Sequence, residues 1–174
     1  MHTKRTIALI GTNTLARVLA TVLAKGNNRL LLFSRSFDEA ALITDLIKSE
    51  NALADIEAVP CSYDASWEAD IIITTIPSFE LKELAAYIKD VATQKIFIVG
   101  KLYNEREADV SMLDAVQEIL PYTKIIEAFF NIDDDRRTEY SISGNDYYAA
   151  LTAEEIFQEA GIHPQLINSI NILN

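Results

Sequence analysis

Short apolar runs alternate with amphipathic segments along nearly the whole chain. Uninterrupted apolar runs predict strands covered on both faces, as in a parallel sheet, at residues 6–11, 29–35, 69–77 and 95–100, with a weaker strand at 54–61. Apolar residues at helical spacing predict helices at residues 14–25, 36–50, 79–92, 109–120 and 152–161. Further extended segments are predicted at residues 124–130, 138–144 and 163–174. This alternation indicates an α/β domain with a doubly wound, mainly parallel sheet and a mixed or antiparallel C-terminal edge.

Length and composition narrow the class of protein. The 174 residues are predicted to form a single domain, 1–174, and an apolar fraction of 49% excludes a disordered chain. No apolar run approaches the roughly 18–20 residues of a membrane span, and the start of the chain lacks a signal-peptide cleavage pattern. The single cysteine, Cys61, fits a reducing, cytoplasmic compartment. A net charge of −11 argues against nucleic acid as a partner, because phosphates repel an acidic surface.

The loop "GTNTLA" after the first predicted strand has the outline of a dinucleotide-binding turn. In such a turn the first glycine allows a tight bend, the second lets pyrophosphate approach, and the third lets helix and strand pack. Gly11 meets the first requirement and Ala16 the third, whereas Asn13 replaces the second glycine. The helix N-terminus that follows favours anions, so the candidate cofactor residues are Gly11, Thr12, Asn13, Thr14 and Leu15. An ordinary βα turn without a ligand is the alternative.

The sequence "FSRS" at the end of the second predicted strand bears on which dinucleotide could bind. A domain specific for NAD has an acidic residue about twenty positions after the glycine loop, where it holds the ribose 2′-hydroxyl. This chain has Ser34, Arg35 and Ser36 there, a cation and two hydroxyls that suit a 2′-phosphate. The motif therefore predicts NADP(H) rather than NAD(H). A solvated surface arginine is the simpler alternative.

A third motif, "TTIPS", ends the strand predicted at 69–77, where a doubly wound sheet binds its ligands. Thr75 supplies a hydroxyl, and Ile76 and Pro77 form a rigid turn that we expect beside the nicotinamide. Taken alone, the motif also fits an ordinary strand-to-helix turn with a proline near the first helical turn. Together, the three motifs predict a cofactor crevice in a Rossmann-like domain.

In these motifs the chain resembles the NADP oxidoreductases that depend on the deazaflavin coenzyme F-420, and their wider Rossmann relatives. The resemblance rests on "IALIGTNTLA", "SR", "ADIIITTIP", "KIIEAFFN" (124–131) and "YSISGND" (140–146), which occur in the family's order. Two features depart from the family's pattern. Asn13 stands where the family usually has glycine, and family members continue with a further helical segment beyond the position of Asn174.

The resemblance implies an NADP-binding Rossmann domain that exchanges hydride with a deazaflavin. It places Thr12 and the following loop at the pyrophosphate, Ser34 and Arg35 at the 2′-phosphate, and Ile76 and Pro77 near the nicotinamide. It also places Ala128 and Phe129 on the side of the pocket that faces the deazaflavin.

No residue stands out as catalytic, because the cofactor carries hydride transfer and the protein needs no nucleophile. Lys101 follows a predicted strand and is the best-placed cation, with Tyr103 nearby, although a solvated lysine is the more common case. His163 and Cys61 are interpreted as a turn residue and a packing residue. The aspartates of "NIDDDRR" (131–137) are interpreted as a charged turn, and we predict no metal site.

The combined hypothesis is an NADP(H)-binding oxidoreductase that passes hydride to a small-molecule or flavin-like acceptor. A nucleotide-binding sensor or partner-binding module without turnover is the alternative, and a structural domain that binds no dinucleotide is a third. The neighbouring tyrosines Tyr147 and Tyr148 and the apolar residues 166–174 suggest a subunit interface and hence a homodimer.

Overall fold

The computed structural model describes residues 4–105, 110–133, 137–144 and 146–165. Its strands are β1 (Arg5–Ile10), β2 (Asn28–Phe33), β3 (Ile56–Val59), β4 (Ile71–Thr74), β5 (Ile96–Leu102), β6 (Lys124–Ile132), β7 (Thr138–Gly144) and β8 (His163–Pro164). Its helices are α1 (Thr14–Leu23), α2 (Phe37–Glu50), α3 (Ser62–Glu68), α4 (Leu81–Ile88), α5 (Val110–Ile119) and α6 (Tyr147–Glu159). Single 3-10 turns occur at Ser78–Glu80 and Tyr103–Glu105.

The described strands form an eight-stranded sheet in the order β3-β2-β1-β4-β5-β6-β7-β8. The first six strands along the chain are parallel to one another, β7 is antiparallel to β6, and β8 is parallel to β7. This confirms the predicted doubly wound, mainly parallel sheet with an antiparallel C-terminal edge. The order β3-β2-β1-β4-β5-β6 is that of the Rossmann fold, in which the direction of winding reverses between β1 and β4.

Helices cover both faces of the sheet, and this explains the apolar runs of the strands. In β1, Ile7 and Leu9 belong to the core that contains the inner faces of α1, α2 and α6. Ala8 and Ile10 belong to the opposite core, with α3, α4 and α5. Because successive residues enter different cores, all four must be apolar, and each is at most 2% exposed.

Two helices differ from the sequence prediction. Helix α3 was not predicted, because its buried residues are Ser62, Ala65 and Ser66, which give no large apolar periodicity. Lys95 Nζ donates to the carbonyls of Ser66 and Trp67 at the end of this helix, at 2.5 and 2.7 Å. Tertiary contact rather than local pattern therefore stabilises α3.

Helix α6 begins at Tyr147, well before the predicted residue 152. Asp146 Oδ1 accepts a hydrogen bond from the N–H of Ala149 at 2.8 Å, which is an N-cap. Tyr147 and Tyr148 occupy the first turn and are 69% and 74% exposed, so they interrupt the apolar pattern that would indicate a helix there. The predicted extended segment at 163–174 is a strand only at His163–Pro164, and residues 166–174 lie outside the described residues.

Helix length bears on membrane insertion. The longest helix among the described residues, α2, has 14 residues. Within the ranges given above, no helix is long and apolar enough to cross a bilayer.

Candidate functional site

A cavity of about 480 Å³ opens at the carboxyl ends of β1, β2 and β4. It lies where the strand order reverses around β1, the usual position of the ligand crevice in a doubly wound fold. We call it the crevice; the candidate residues that line it are Gly11, Thr12, Asn13, Ser34, Arg35, Ser36, Thr75, Ile76 and Pro77. Thr14 and Leu15 follow directly, in the first turn of α1. Tertiary structure thus brings the three sequence motifs to one place.

Gly11 forms the tight bend between β1 and α1. Its φ is +128°, which L-residues with a side chain rarely adopt. A Cβ atom at this position would lie 2.5 Å from Oγ1 of Thr75. The N–H of Gly11 donates to the carbonyl of Phe33 at 2.9 Å and ties the bend to the end of β2. The bend therefore requires glycine both for its backbone angle and for close approach to the loop after β4.

Asn13 holds the start of α1 against the loop after β4. Its Oδ1 accepts a hydrogen bond from the N–H of Ala16 at 2.9 Å, as an N-cap does, and its Nδ2 donates to the carbonyl of Thr75 at 2.7 Å. Its φ is −65°, so this position does not use the left-handed conformation that favours glycine. Asn13 therefore replaces the expected glycine with two hydrogen bonds that position both loops.

The N-terminus of α1 has the properties of an anion site. The N–H of Ala16 is capped by Asn13, whereas the N–H groups of Thr14 and Leu15 lie too early in the helix to have an intrahelical carbonyl partner. The first turn of α1 contains no acidic residue. Its partial positive charge is therefore not compensated by a carboxylate within the same turn, and such a turn attracts phosphate.

The end of β4 is held to β1 by two threonines. Thr74 Oγ1 and the N–H of Thr75 both donate to the carbonyl of Ile10, at 3.3 and 3.0 Å. Thr75 is 4% exposed, and its own Oγ1 has no hydrogen-bond partner among the described residues. A buried hydroxyl without a partner is costly and uncommon in native proteins. This part of the crevice thus has a polar group that the described part of the protein leaves unsatisfied.

Glu39, in the first turn of α2, lines the crevice and was not recognised as a site residue from the sequence. Its spacing from Ser36 predicts a capping box. Ser36 is the N-cap residue, but its side chain makes no capping hydrogen bond. Instead, Glu39 Oε2 accepts from Thr12 Oγ1 at 2.7 Å and from Ser34 Oγ at 3.3 Å. Sequence reasoning missed this role because the capping pattern explained Glu39 locally.

Arg35 does not have a free guanidinium. Its Nη2 forms an ion pair with Glu80 Oε2, from the opposite wall of the crevice. The Arg35 side chain is 74% exposed and that of Glu80 is 19% exposed, so the pair lies at the mouth of the crevice. Glu39 and Glu83 also line the crevice. Among the described residues, the charged ones that line the crevice are therefore one arginine and three glutamates.

One face of α4 and the turn before it form the far wall, which the sequence analysis did not identify. Glu80, Glu83, Leu84 and Tyr87 line the crevice at helical spacing. The sequence predicts a helix at residues 79–92, but helical spacing alone does not show which face of it borders a cavity. Tyr87 Oη lies 3.6 Å from Sγ of Cys61, and this hydrogen bond raises the pKa of the tyrosine.

Other candidate residues are not brought to the crevice. Lys101 Nζ pairs with Glu127 Oε1 at 2.9 Å, and neither residue is among those that line it. Ala128 and Phe129 are buried in β6 and are likewise not part of its lining. His163 is exposed in β8, at the opposite edge of the sheet from β3.

The acidic segment 131–137 is only partly described. Asp134 and Asp135 lie outside the described residues. Among the residues that the structure does describe, no group of three or more His, Cys, Asp or Glu side chains is placed to hold a metal ion. The interpretation of this segment as a charged turn stays a prediction.

No protein-family model matches the sequence, and no curated protein matches it either. Solved structures do match its fold. Pyrroline-5-carboxylate reductase of Coxiella burnetii is 18% identical with a TM-score of 0.69, over 96% of this chain and 60% of that one. The 3-hydroxyisobutyrate dehydrogenase of Mycobacterium tuberculosis is 14% identical with a TM-score of 0.70, over 91% of this chain and 52% of that one.

An Arthrobacter protein assigned as an F-420-dependent NADP reductase also matches, at 16% identity and a TM-score of 0.70. The alignment covers 92% of this chain and 82% of that one. The chain spans only 60% and 52% of the length of the reductase and dehydrogenase above. At these identities the likeness is one of fold, and the neighbours have different substrates in their names. The chain has the Rossmann-type fold that these oxidoreductases share.

Proposed function

We propose that the crevice binds a nicotinamide dinucleotide and that the protein is an oxidoreductase. The observation that carries the proposal is the convergence of three loops, after β1, β2 and β4, on one cavity beside the N-terminus of α1. Ligands of doubly wound folds bind at this reversal of strand order. The names of the structural neighbours, a dehydrogenase and two reductases, support the same class.

The pyrophosphate fits the start of α1. The N–H groups of Thr14 and Leu15 are the donors that the first turn offers, and no acidic residue in that turn opposes an anion. Asn13 contributes indirectly, since both its Oδ1 and its Nδ2 are already bonded within the protein. Its role in this proposal is to hold the α1 turn in place.

A nicotinamide bound beside the loop after β4 would supply the hydride chemistry. Around it, the chain contributes Ile76 and Pro77 as an apolar wall. The hydride acceptor is a small molecule or a flavin-like ring in this proposal. The deazaflavin of the resembling family is one member of that class, and the homodimer and cytoplasmic location expected from the sequence remain predictions.

The test is a calorimetric titration of the purified protein with NADH, NADPH and FAD. We expect at least one nicotinamide dinucleotide to bind with a Kd below about 1 mM, and more tightly than FAD. Thr14→Asp adds a carboxylate at the first position of α1, where it favours the helix but repels pyrophosphate. Binding should weaken by about tenfold or more. Tyr147→Asp adds the same charge at the first position of α6 and is the matched control.

Absence of binding by both nicotinamide dinucleotides would reject the proposal. Equal weakening by Thr14→Asp and Tyr147→Asp would reject the placement at α1. A second candidate, a nucleotide sensor without turnover, is favoured because Lys101 and His163, the best-placed cation and the histidine of the sequence analysis, do not line the crevice. Oxidation of the bound cofactor by flavin or deazaflavin acceptors, followed by absorbance, decides between enzyme and sensor.

A further inference from the structure

The carboxylate of Glu39 takes up the hydroxyls that would otherwise be available to a phosphate. Its Oε2 accepts from Thr12 Oγ1 at 2.7 Å and from Ser34 Oγ at 3.3 Å, and the two hydroxyls are 3.2 Å apart. These residues come from the loops after β1 and β2. Glu39 therefore places a negative charge between the two loops that flank the ribose side of a dinucleotide crevice.

Arg35 contacts a different carboxylate. Its guanidinium is paired with Glu80 across the mouth of the crevice, and the carboxylate is the less exposed partner. Arg17 is the other nearby cation: its Nη2 lies 3.9 Å from Glu39 Oε1, and its Nε donates to the carbonyl of Thr12 at 3.2 Å. The Arg17 and Glu39 side chains are 55% and 47% exposed, so solvent screens this long contact.

A 2′-phosphate and a ribose diol respond to Glu39 in opposite ways. A phosphate monoester carries about 1.5 to 2 negative charges near neutral pH and is repelled by a carboxylate. A diol donates hydrogen bonds to a carboxylate, and an ionised carboxylate has acceptor sites beyond the two hydroxyls that it already holds. A carboxylate at this position would therefore disfavour a 2′-phosphate and favour a ribose diol.

We propose that Glu39 is a specificity-determining residue and that it selects a dinucleotide with a free 2′-hydroxyl, NAD(H), over NADP(H). This inference rests on the proposed function, because it presumes that the crevice binds a dinucleotide. It runs against the preference for NADP(H) predicted from Arg35. The difference arises because the sequence shows which residues follow β2 but not that an acid from α2 reaches the same place.

The test compares the Kd values of NADH and NADPH for the wild-type protein, Glu39→Gln and Glu50→Gln. Glu50 is the exposed last residue of α2, so its variant removes the same charge from the same helix, away from the crevice. We expect the wild type to bind NADH about tenfold or more tightly than NADPH, and Glu39→Gln to reduce that ratio about fivefold or more. Glu50→Gln should leave the ratio within about twofold of wild type.

Two further measurements separate electrostatic selection from a structural role of Glu39. Raising the salt concentration should reduce the NADH preference of the wild type but not that of Glu39→Gln, because salt screens charge repulsion. The wild type should also bind 5′-AMP more tightly than adenosine 2′,5′-bisphosphate. This comparison needs no variant and therefore does not depend on Glu39→Gln folding.

The outcomes distinguish the two proposals. Three results would overturn the role of Glu39 and leave dinucleotide binding intact. They are NADPH binding as tight as that of NADH, a ratio of the two Kd values that Glu39→Gln does not change, and tighter binding of the bisphosphate than of 5′-AMP. Failure of both dinucleotides to bind the wild type overturns the proposed function, and the inference with it.

Discussion

Replacement of Asn13 by alanine tests the two hydrogen bonds that hold the crevice loops. Loss of an asparagine N-cap costs about 1 kcal/mol, and loss of a side-chain hydrogen bond to a backbone carbonyl costs about another 1 kcal/mol. Both bonds have normal lengths, 2.9 and 2.7 Å, so we expect Asn13→Ala to lower the free energy of unfolding by about 2 kcal/mol. For a chain of this size that corresponds to a fall in Tm of about 4–8 °C.

Two further substitutions separate the bonds. Asn13→Asp keeps a good N-cap but loses the donor to the carbonyl of Thr75, so it should be less stable than wild type by at least about 1 kcal/mol. Asn13→Gly retains most of the capping preference, so its free energy of unfolding should also be about 1 kcal/mol below that of the wild type. Asn27→Ala, at an exposed position in the turn after α1, is the control.

The measurement is urea unfolding followed by circular dichroism, with the m-value compared between variants. A change of less than about 0.5 kcal/mol for Asn13→Ala would refute the reasoning, because neither bond would then contribute to stability. Wild-type stability of Asn13→Asp would refute the Thr75 contact specifically. A changed m-value would indicate an effect on the unfolded state instead.

Three further predictions concern Gly11, the Lys101–Glu127 pair and Lys95, and each is tested by the same unfolding assay. Gly11→Ala should lower the free energy of unfolding by about 2–4 kcal/mol, since φ is +128° and the new Cβ would lie 2.5 Å from a neighbouring oxygen. Gly161→Ala is the control, because φ is +78° but the space is open, and it should lower the free energy of unfolding by only about 1 kcal/mol. Equal losses would refute the steric argument. Glu127→Gln should lower the free energy of unfolding by about 1–2 kcal/mol, because the Glu127 and Lys101 side chains are only 17% and 13% exposed. In a double-mutant cycle its effect should be coupled to that of Lys101→Met, and additive effects would contradict this prediction. Burial lowers the pKa of Lys95, so at this side chain the unfolded state binds more protons at alkaline pH, and its contribution to stability rises with pH through that range. Lys95→Met should therefore make the slope of stability against pH less positive than in the wild type, and an unchanged slope would argue against it.

The fold could be predicted largely from local pattern. The two-sided burial of β1 forces a continuous apolar run, and the amphipathic segments between such runs require helices on both faces of a parallel sheet. The segments without such a pattern were missed. Helix α3 buries only small side chains, and the start of α6 presents exposed tyrosines, so neither produces a hydrophobic period.

For the crevice, the sequence determined which loops converge and that Gly11 forms a tight bend, because both follow from strand order and backbone sterics. Only the tertiary structure decided what the side chains there do. Asn13 reaches the carbonyl of Thr75, Arg35 pairs with Glu80, and Glu39 reaches Thr12 and Ser34. These partners are far apart in the chain or on different elements, and a sequence pattern describes spacing along one element. Charge and hydrogen bonding in the crevice are therefore properties of the assembled sheet.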